Sequence, residues 1–164
     1  MIPQAEDWGI HLPFRRFAVR YVPMKATDVI RRDHKAAEDL FAAFKKANKE
    51  DREAMETKVF DALTRHELME DKHFYPALRD KDVDEASLFS DLEGEQLKLA
   101  AEVTAARALP GDKSERIIAM MDEVLAHAKK EEASVLPKAE EVMSATELEE
   151  LGAKMEPESA AANA

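Results

Sequence analysis

From Thr27 onward, apolar residues recur at steps of three and four, the repeat of a helix with one face turned to a core. Val29, Ile30, Ala37, Leu40, Phe41 and Phe44 form the first stripe. Thr27 or Asp28 is its expected N-cap, and Asn48 with the charged Lys49-Glu50-Asp51 marks its end. A second stripe runs from about Arg52 to Leu78 through Met55, Val59, Ala62, Leu63, Leu68 or Met69, Phe74 and Ala77. Pro76 falls inside it, removes a backbone donor and predicts a bent or loosened last turn. The third spans roughly Glu85 to Leu109 on Leu88, Leu92, Leu99 and Val103, and Pro110-Gly111 breaks it. Asp112 with Glu115 reads as a capping box for a fourth helix carrying Ile117, Met120, Met121, Val124, Val135 and Val142. Ser144 with Glu147 repeats that signature and opens a short fifth helix on Leu148, Leu151 and Met155.

Four long helices with short connections pack best as an up-down-up-down bundle. The expected fold is therefore all-α: that bundle at 27–156, an N-terminal arm at 1–26 and a disordered tail at 157–164, with the fifth helix closing the domain. Pro3, Pro13 and Pro23 forbid a long helix in the arm, and Trp8, Phe14, Phe17 and Tyr21 suggest that it lies on the domain. His11 in the arm reads as a surface imidazole.

Composition supports the helical reading and narrows the partners. Charged residues make up 36%, hydrophobic ones 45%, and there are only four glycines. The formal charge of −11 argues against nucleic acid and anionic membrane as partners. With no cysteine, disulfides, thiolate metal sites and a cysteine nucleophile are excluded. No apolar run approaches the roughly 20 residues of a membrane span. Arg15, Arg16 and Arg20 are not followed by the apolar block of a signal peptide, so a cytoplasmic location is expected.

One spacing inside the helices carries chemistry. His66 is followed four residues later by Glu70 and ten later by Pro76; His127 is followed by Glu131 and Pro137 at the same intervals. Four residues on a helix rotate about 400° and rise about 6 Å, so each pair leaves from one face. Both pairs are in phase with the apolar stripes, and His34 lies on the inner side of the first. A lone inward histidine is ordinarily a hydrogen-bonded core residue, and a single His/Glu pair an ordinary helix pairing. The repeat makes them two facing halves of a metal site. His34, His66, Glu70, His127 and Glu131 are the candidate ligands, a sulfur-free set that suits iron or manganese and also admits zinc. Burying both carboxylates without a cation would cost several kcal/mol. Glu67 and His73 are lesser candidates, the latter through Glu70-x-x-His73, the spacing of ferritin-like sites. The third helix holds no histidine. Repeat spacing points there to Glu95, apolar phase to Gln96, and Glu93 is a third possibility.

Asp33-His34, His66-x-x-x-Glu70 with Phe74-Tyr75-Pro76, His127-x-x-x-Glu131 with Pro137, and the closing run Ser144–Gly152 resemble the hemerythrin-like family, the HHE cation-binding domain. The resemblance covers about Thr27 to Met155. It implies a four-helix bundle around a non-heme, usually two-iron site that binds or reacts with O2, NO or peroxide, in sensing of oxygen, iron or redox state or in stress response. It also implies roles: His34 and His66 on one iron, His127 on the other, Glu70 and Glu131 bridging. The missing third-helix histidine departs from the family pattern and favours oxidation, peroxide chemistry or sensing over plain O2 carriage. Sensor and enzyme both stay open, with Glu67, Tyr75 and Tyr21 as the local proton donors. Two other readings compete: a metal-poor helical interaction module, and a ferritin-like di-metal oxidase or peroxidase using Glu67, Glu70 and His73. Oligomeric state is not legible.

Overall fold

A computed structural model describes residues 23–81 and 86–159, with the backbone alone at 86–89. The arm as far as residue 22, including His11 and Tyr21, and the tail from residue 160 lie outside the described residues, as does the side chain of Leu88. Every element described is helical: α1 (Ala26–Lys46), α2 (Lys49–Met69), a π-turn (Glu70–Phe74), α3 (Tyr75–Arg79), α4 (Ala86–Ala108), α5 (Ser114–Val142), α6 (Ala145–Met155) and a 3-10 turn (Glu156–Glu158). No strand occurs among the described residues, and no helix there is long and apolar enough to cross a membrane.

The predicted stripes are the core. Val29, Ile30, Phe41 and Phe44 of α1, Val59, Leu63 and Met69 of α2, and Ile117, Met120 and Met121 of α5 are all buried. Where the pattern left Leu68 or Met69 open, Met69 is inside and Leu68 is 60% exposed. Burial at roughly 1.5–3 kcal/mol per large apolar side chain is what holds these helices together. The core divides into two clusters. One takes the start of α1, the end of α2 with α3, Leu92 early in α4, the end of α5, and α6. The other takes the end of α1, the middle of α2, Val103 late in α4 and the start of α5. α1 packs on α2, α5 and α6, and α4 on α2 and α5.

The helix ends differ from expectation in instructive ways. Neither Thr27 nor Asp28 is the N-cap of α1. Lys25 holds that position in extended backbone, its carbonyl accepting from Asp28 and Val29, while Thr27 is buried in the first turn. Lys49-Glu50-Asp51 does not end a helix but begins α2, because the Asn48 side chain accepts from the Asp51 amide at 2.9 Å. Arg52, on the new helix, reaches back to the Phe44 and Lys45 carbonyls at 3.0 and 2.8 Å and so satisfies the end of α1. The Asp112–Glu115 capping box does not form. Buried Glu56 of α2 accepts from the Lys113 amide at 2.8 Å instead, and Asp112 accepts from Ser114. The Ser144–Glu147 box is present in full.

Of the tail expected from Pro157, residues 157–159 are among those described. Glu156–Glu158 make the 3-10 turn, and Ser159 is fully buried, donating its hydroxyl to Asp33 and accepting from Arg32 at 2.9 Å. α6 seats this segment through Gly152, where the start of α1 passes so close that a Cβ would lie 1.9 Å from the Met24 carbonyl oxygen. Gly94 of α4 faces open space. Gly152→Ala is therefore expected to cost about 1–3 kcal/mol in urea denaturation, whereas Gly94→Ala should gain about 0.5–1 kcal/mol by raising helix propensity. Equal effects at the two positions would contradict this packing.

Candidate metal centre

Between the two apolar clusters lies a polar layer, and each long helix contributes to it. α1 supplies His34, α2 His66, the π-turn Glu70, α4 Gln96, and α5 His127 and Glu131. His34, His66, Glu70 and Glu131 each place one donor atom so that all four lie within 4.8 Å of one another. His34 Nε2 is 3.2 Å from Glu131 Oε2, His66 Nε2 is 3.2 Å from Glu70 Oε1, and the two imidazoles meet edge-on with centroids 4.9 Å apart.

The π-turn explains part of this convergence. An α-helix advances about 100° per residue, so in unbroken helix Tyr75 would point about 140° away from Glu70. The Tyr75 amide instead bonds the Glu70 carbonyl, five residues back. That wider turn returns Tyr75 to the inner face, where its hydroxyl donates to Glu131 Oε1 at 2.8 Å. The loosening expected at Pro76 thus falls just before it, where a wider turn keeps the ring off the preceding carbonyls.

The outer nitrogens of the imidazoles face carboxylates. His34 Nδ1 is 2.8 Å from Glu132 Oε1, His66 Nδ1 is 3.8 Å from Asp33 Oδ2, and His127 Nδ1 is 3.6 Å from Glu95 Oε2. A carboxylate on Nδ1 favours the tautomer with its proton there, leaving the Nε2 lone pair inward. Sequence reasoning assigned no such role to Glu132 or Asp33. The signal was their position beside Glu131 and His34.

The inner atoms are poorly satisfied. Both Glu70 oxygens, Glu131 Oε2, His34 Nε2, His127 Nε2 and both polar atoms of the Gln96 amide are buried without a well-oriented hydrogen bond, although His34 Nε2 and His66 Nε2 lie 3.2 Å from carboxylate oxygens of Glu131 and Glu70. Unsatisfied buried groups of this kind are expensive, and a cation among them would satisfy several at once. The donor set fits such an ion. Burial, and then the neighbouring charge of Glu131, pushes the Glu70 carboxyl well up. Burial also opposes charge on Glu131, yet His34, His66 and Tyr75 together bring its pKa below the usual range. Burial lowers the His34 pKa, but Glu131 and Glu132 outweigh it and the net shift is upward. Burial dominates at His127 and lowers it.

Other candidates are placed less centrally. His127 borders the same cavity but is not among the four converging donors. Of the three α4 residues, Gln96 points in, as apolar phase predicts. Glu95 sits at the edge on Lys130 at 2.6 Å and on His127, and Glu93 pairs with Arg79. Glu67 lines the cavity, half-buried, its carboxyl raised to about 7 by burial and then by Asp71. His73 is not brought to the site; it turns to Glu158 at 3.3 Å, which removes the pairing that the ferritin-like reading requires.

Comparison with known proteins agrees with this architecture. A family model described as Hemerythrin HHE cation binding domain matches residues 25–139. The chain is similar to the crystal structure of a hemerythrin HHE cation binding domain-containing protein from Mycobacterium kansasii, with 27% identity and a TM-score of 0.66, over 80% of this chain and 83% of that one. No curated protein matches.

The raised Glu70 carboxyl makes stability pH-dependent in a definite direction. Below the ordinary carboxylate range it is protonated folded or unfolded and contributes nothing. As pH rises above that range the unfolded state ionises first, and stability falls until the folded carboxyl ionises too. In chelator-treated protein, Glu70→Gln should therefore be more stable than the parent at neutral pH by about 1–4 kcal/mol. The gap should close on acidification, as read by urea denaturation across pH. A gap independent of pH would contradict the assignment.

Proposed function

The chain belongs to the hemerythrin HHE cation-binding domain family, and on that premise we propose that it holds non-heme iron between His34, His66, Glu70 and Glu131. The observation that carries the reading is the approach of four donor atoms to within 4.8 Å in a layer closed above and below by apolar side chains. Manganese or zinc would suit part of the same set, but two imidazoles with two carboxylates and no sulfur favour iron. A second ion would draw on His127, the remaining Glu70 oxygen and the Gln96 carbonyl. With Glu131 Oε1 already held by Tyr75, that position has fewer donors and binds more weakly.

Iron bound here would supply redox chemistry toward O2, NO or peroxide. The protein's own residues then have defined tasks. Glu132 holds the His34 imidazole by its outer nitrogen, Asp33 faces that of His66 at 3.8 Å, and Tyr75 fixes one oxygen of Glu131. The apolar clusters on either side lower the local polarity, which strengthens the charge interactions between them. Glu67, on the cavity wall, is placed to exchange a proton with a small ligand. We assign the chain to sensing of oxygen, redox state or iron, or to stress response, in the cytoplasm. We read its four long helices as up-down-up-down. Each apolar cluster joins alternating helix starts and ends, which supports that direction.

Anaerobic iron loading followed by exposure to O2, NO or peroxide tests this reading through iron content and the visible spectrum. At least one iron per chain and a new absorption band on exposure are expected. Iron well below one per chain with no spectral change would favour a metal-poor interaction module. His34→Ala and Glu131→Gln should lose the metal, His73→Ala should keep it, and Asp33→Asn or Glu132→Gln should weaken affinity about 10–100-fold.

A further inference from the structure

The polar layer opens into a cavity of about 310 Å3, far more than the four donors enclose. Liquid water occupies about 30 Å3 per molecule, so the space equals about ten water-sized groups. A diatomic ligand would use a small part of it. The volume lies at the lower end of small-molecule pockets, roughly 300–1,000 Å3. Away from the donors the lining is aliphatic, with Ala37 and Leu40 of α1, Ala62 and Leu63 of α2, Leu99 of α4 and Val124 of α5. Along α2 and the π-turn the lining runs from Lys58 to Glu70, about 18 Å of helix.

Its charges are unevenly placed. Lys58 and Arg65 line it from exposed positions, and neither makes an ion pair among the described residues, although the chain carries a net charge of −11. Asp61 beside them is occupied by Arg107. Glu67 and Glu70 line the inner half, where an incoming anion would be repelled. We propose that this cavity binds a medium-chain aliphatic monocarboxylate, its carboxylate held by Lys58 and Arg65 and its chain laid along the aliphatic wall. Both features are needed: the cations select the head group, and the apolar length selects the tail. The head-group and tail contacts use none of the four donors, although His34, His66 and Glu70 line the same cavity.

Calorimetric titration of the full chain with decanoate, decylammonium and acetate tests it, in metal-loaded and chelator-treated protein. Decanoate should saturate at one per chain in both forms, with decylammonium and acetate far weaker. Lys58→Glu and Arg65→Glu, both at exposed positions and so compatible with folding, should each weaken decanoate about tenfold. Lys46→Glu, also exposed but not in the cavity wall, should leave it unchanged. Four results would overturn the proposal: no saturation by decanoate, equal binding of decylammonium, equal binding of acetate, or binding confined to the metal-loaded form.

Discussion

The constraint on which the structure depends is the presence of two fully buried carboxylates, Glu70 and Glu131, in the middle of a helical bundle. Charge in such a place is tolerated only when other charges or donors meet it. Part of that compensation is built in: Tyr75 gives Glu131 a hydrogen bond, and His34 leans on the same carboxylate. Glu70 has less: His66 Nε2 lies 3.2 Å away, but neither carboxylate oxygen accepts a well-oriented hydrogen bond. The apolar clusters on either side can close only because the polar atoms between them point at one another. A cation at their meeting point would offset the cost of that layer.

Holding that layer in register takes contacts from remote parts of the chain. Asp33, which faces the outer nitrogen of His66, is bonded by Ser159, and Arg32 ties the same segment through Glu156 and Ser159. α6 brings this segment into place by pressing Gly152 against the start of α1. The segment that follows α6 thus reaches the histidine of α2 through α1. The π-turn does the corresponding work on the other side, rotating Tyr75 into contact with Glu131.

Much of this was legible in the sequence. Helical periodicity located the long helices because burial of a stripe leaves a three- and four-residue repeat, and the paired His-x-x-x-Glu spacing located the polar layer because both ends share a face. Of the α4 positions left open, Gln96 is the buried one and Glu95 sits at the edge, since side-chain direction follows the helix and not the distance between repeats. What the pattern could not supply were contacts between residues distant in sequence. Glu56 capping α5 displaced a plausible local box at Asp112, and burial under α6 let α1 begin before its polar cap candidates. His73 shares a helix with the site but faces Glu158, because the π-turn shifts everything after Glu70 out of simple helical phase.

The central claim is that the inward imidazoles and carboxylates are gathered by one metal position. Anomalous diffraction at the iron edge, on crystals grown from iron-loaded protein, tests it most directly. The account predicts a peak about 2 Å from His34 Nε2, His66 Nε2 and an oxygen each of Glu70 and Glu131, the distance of a nitrogen or oxygen ligand to a small divalent ion. A peak elsewhere, or fully loaded protein with these side chains still turned to one another and no peak between them, would contradict it.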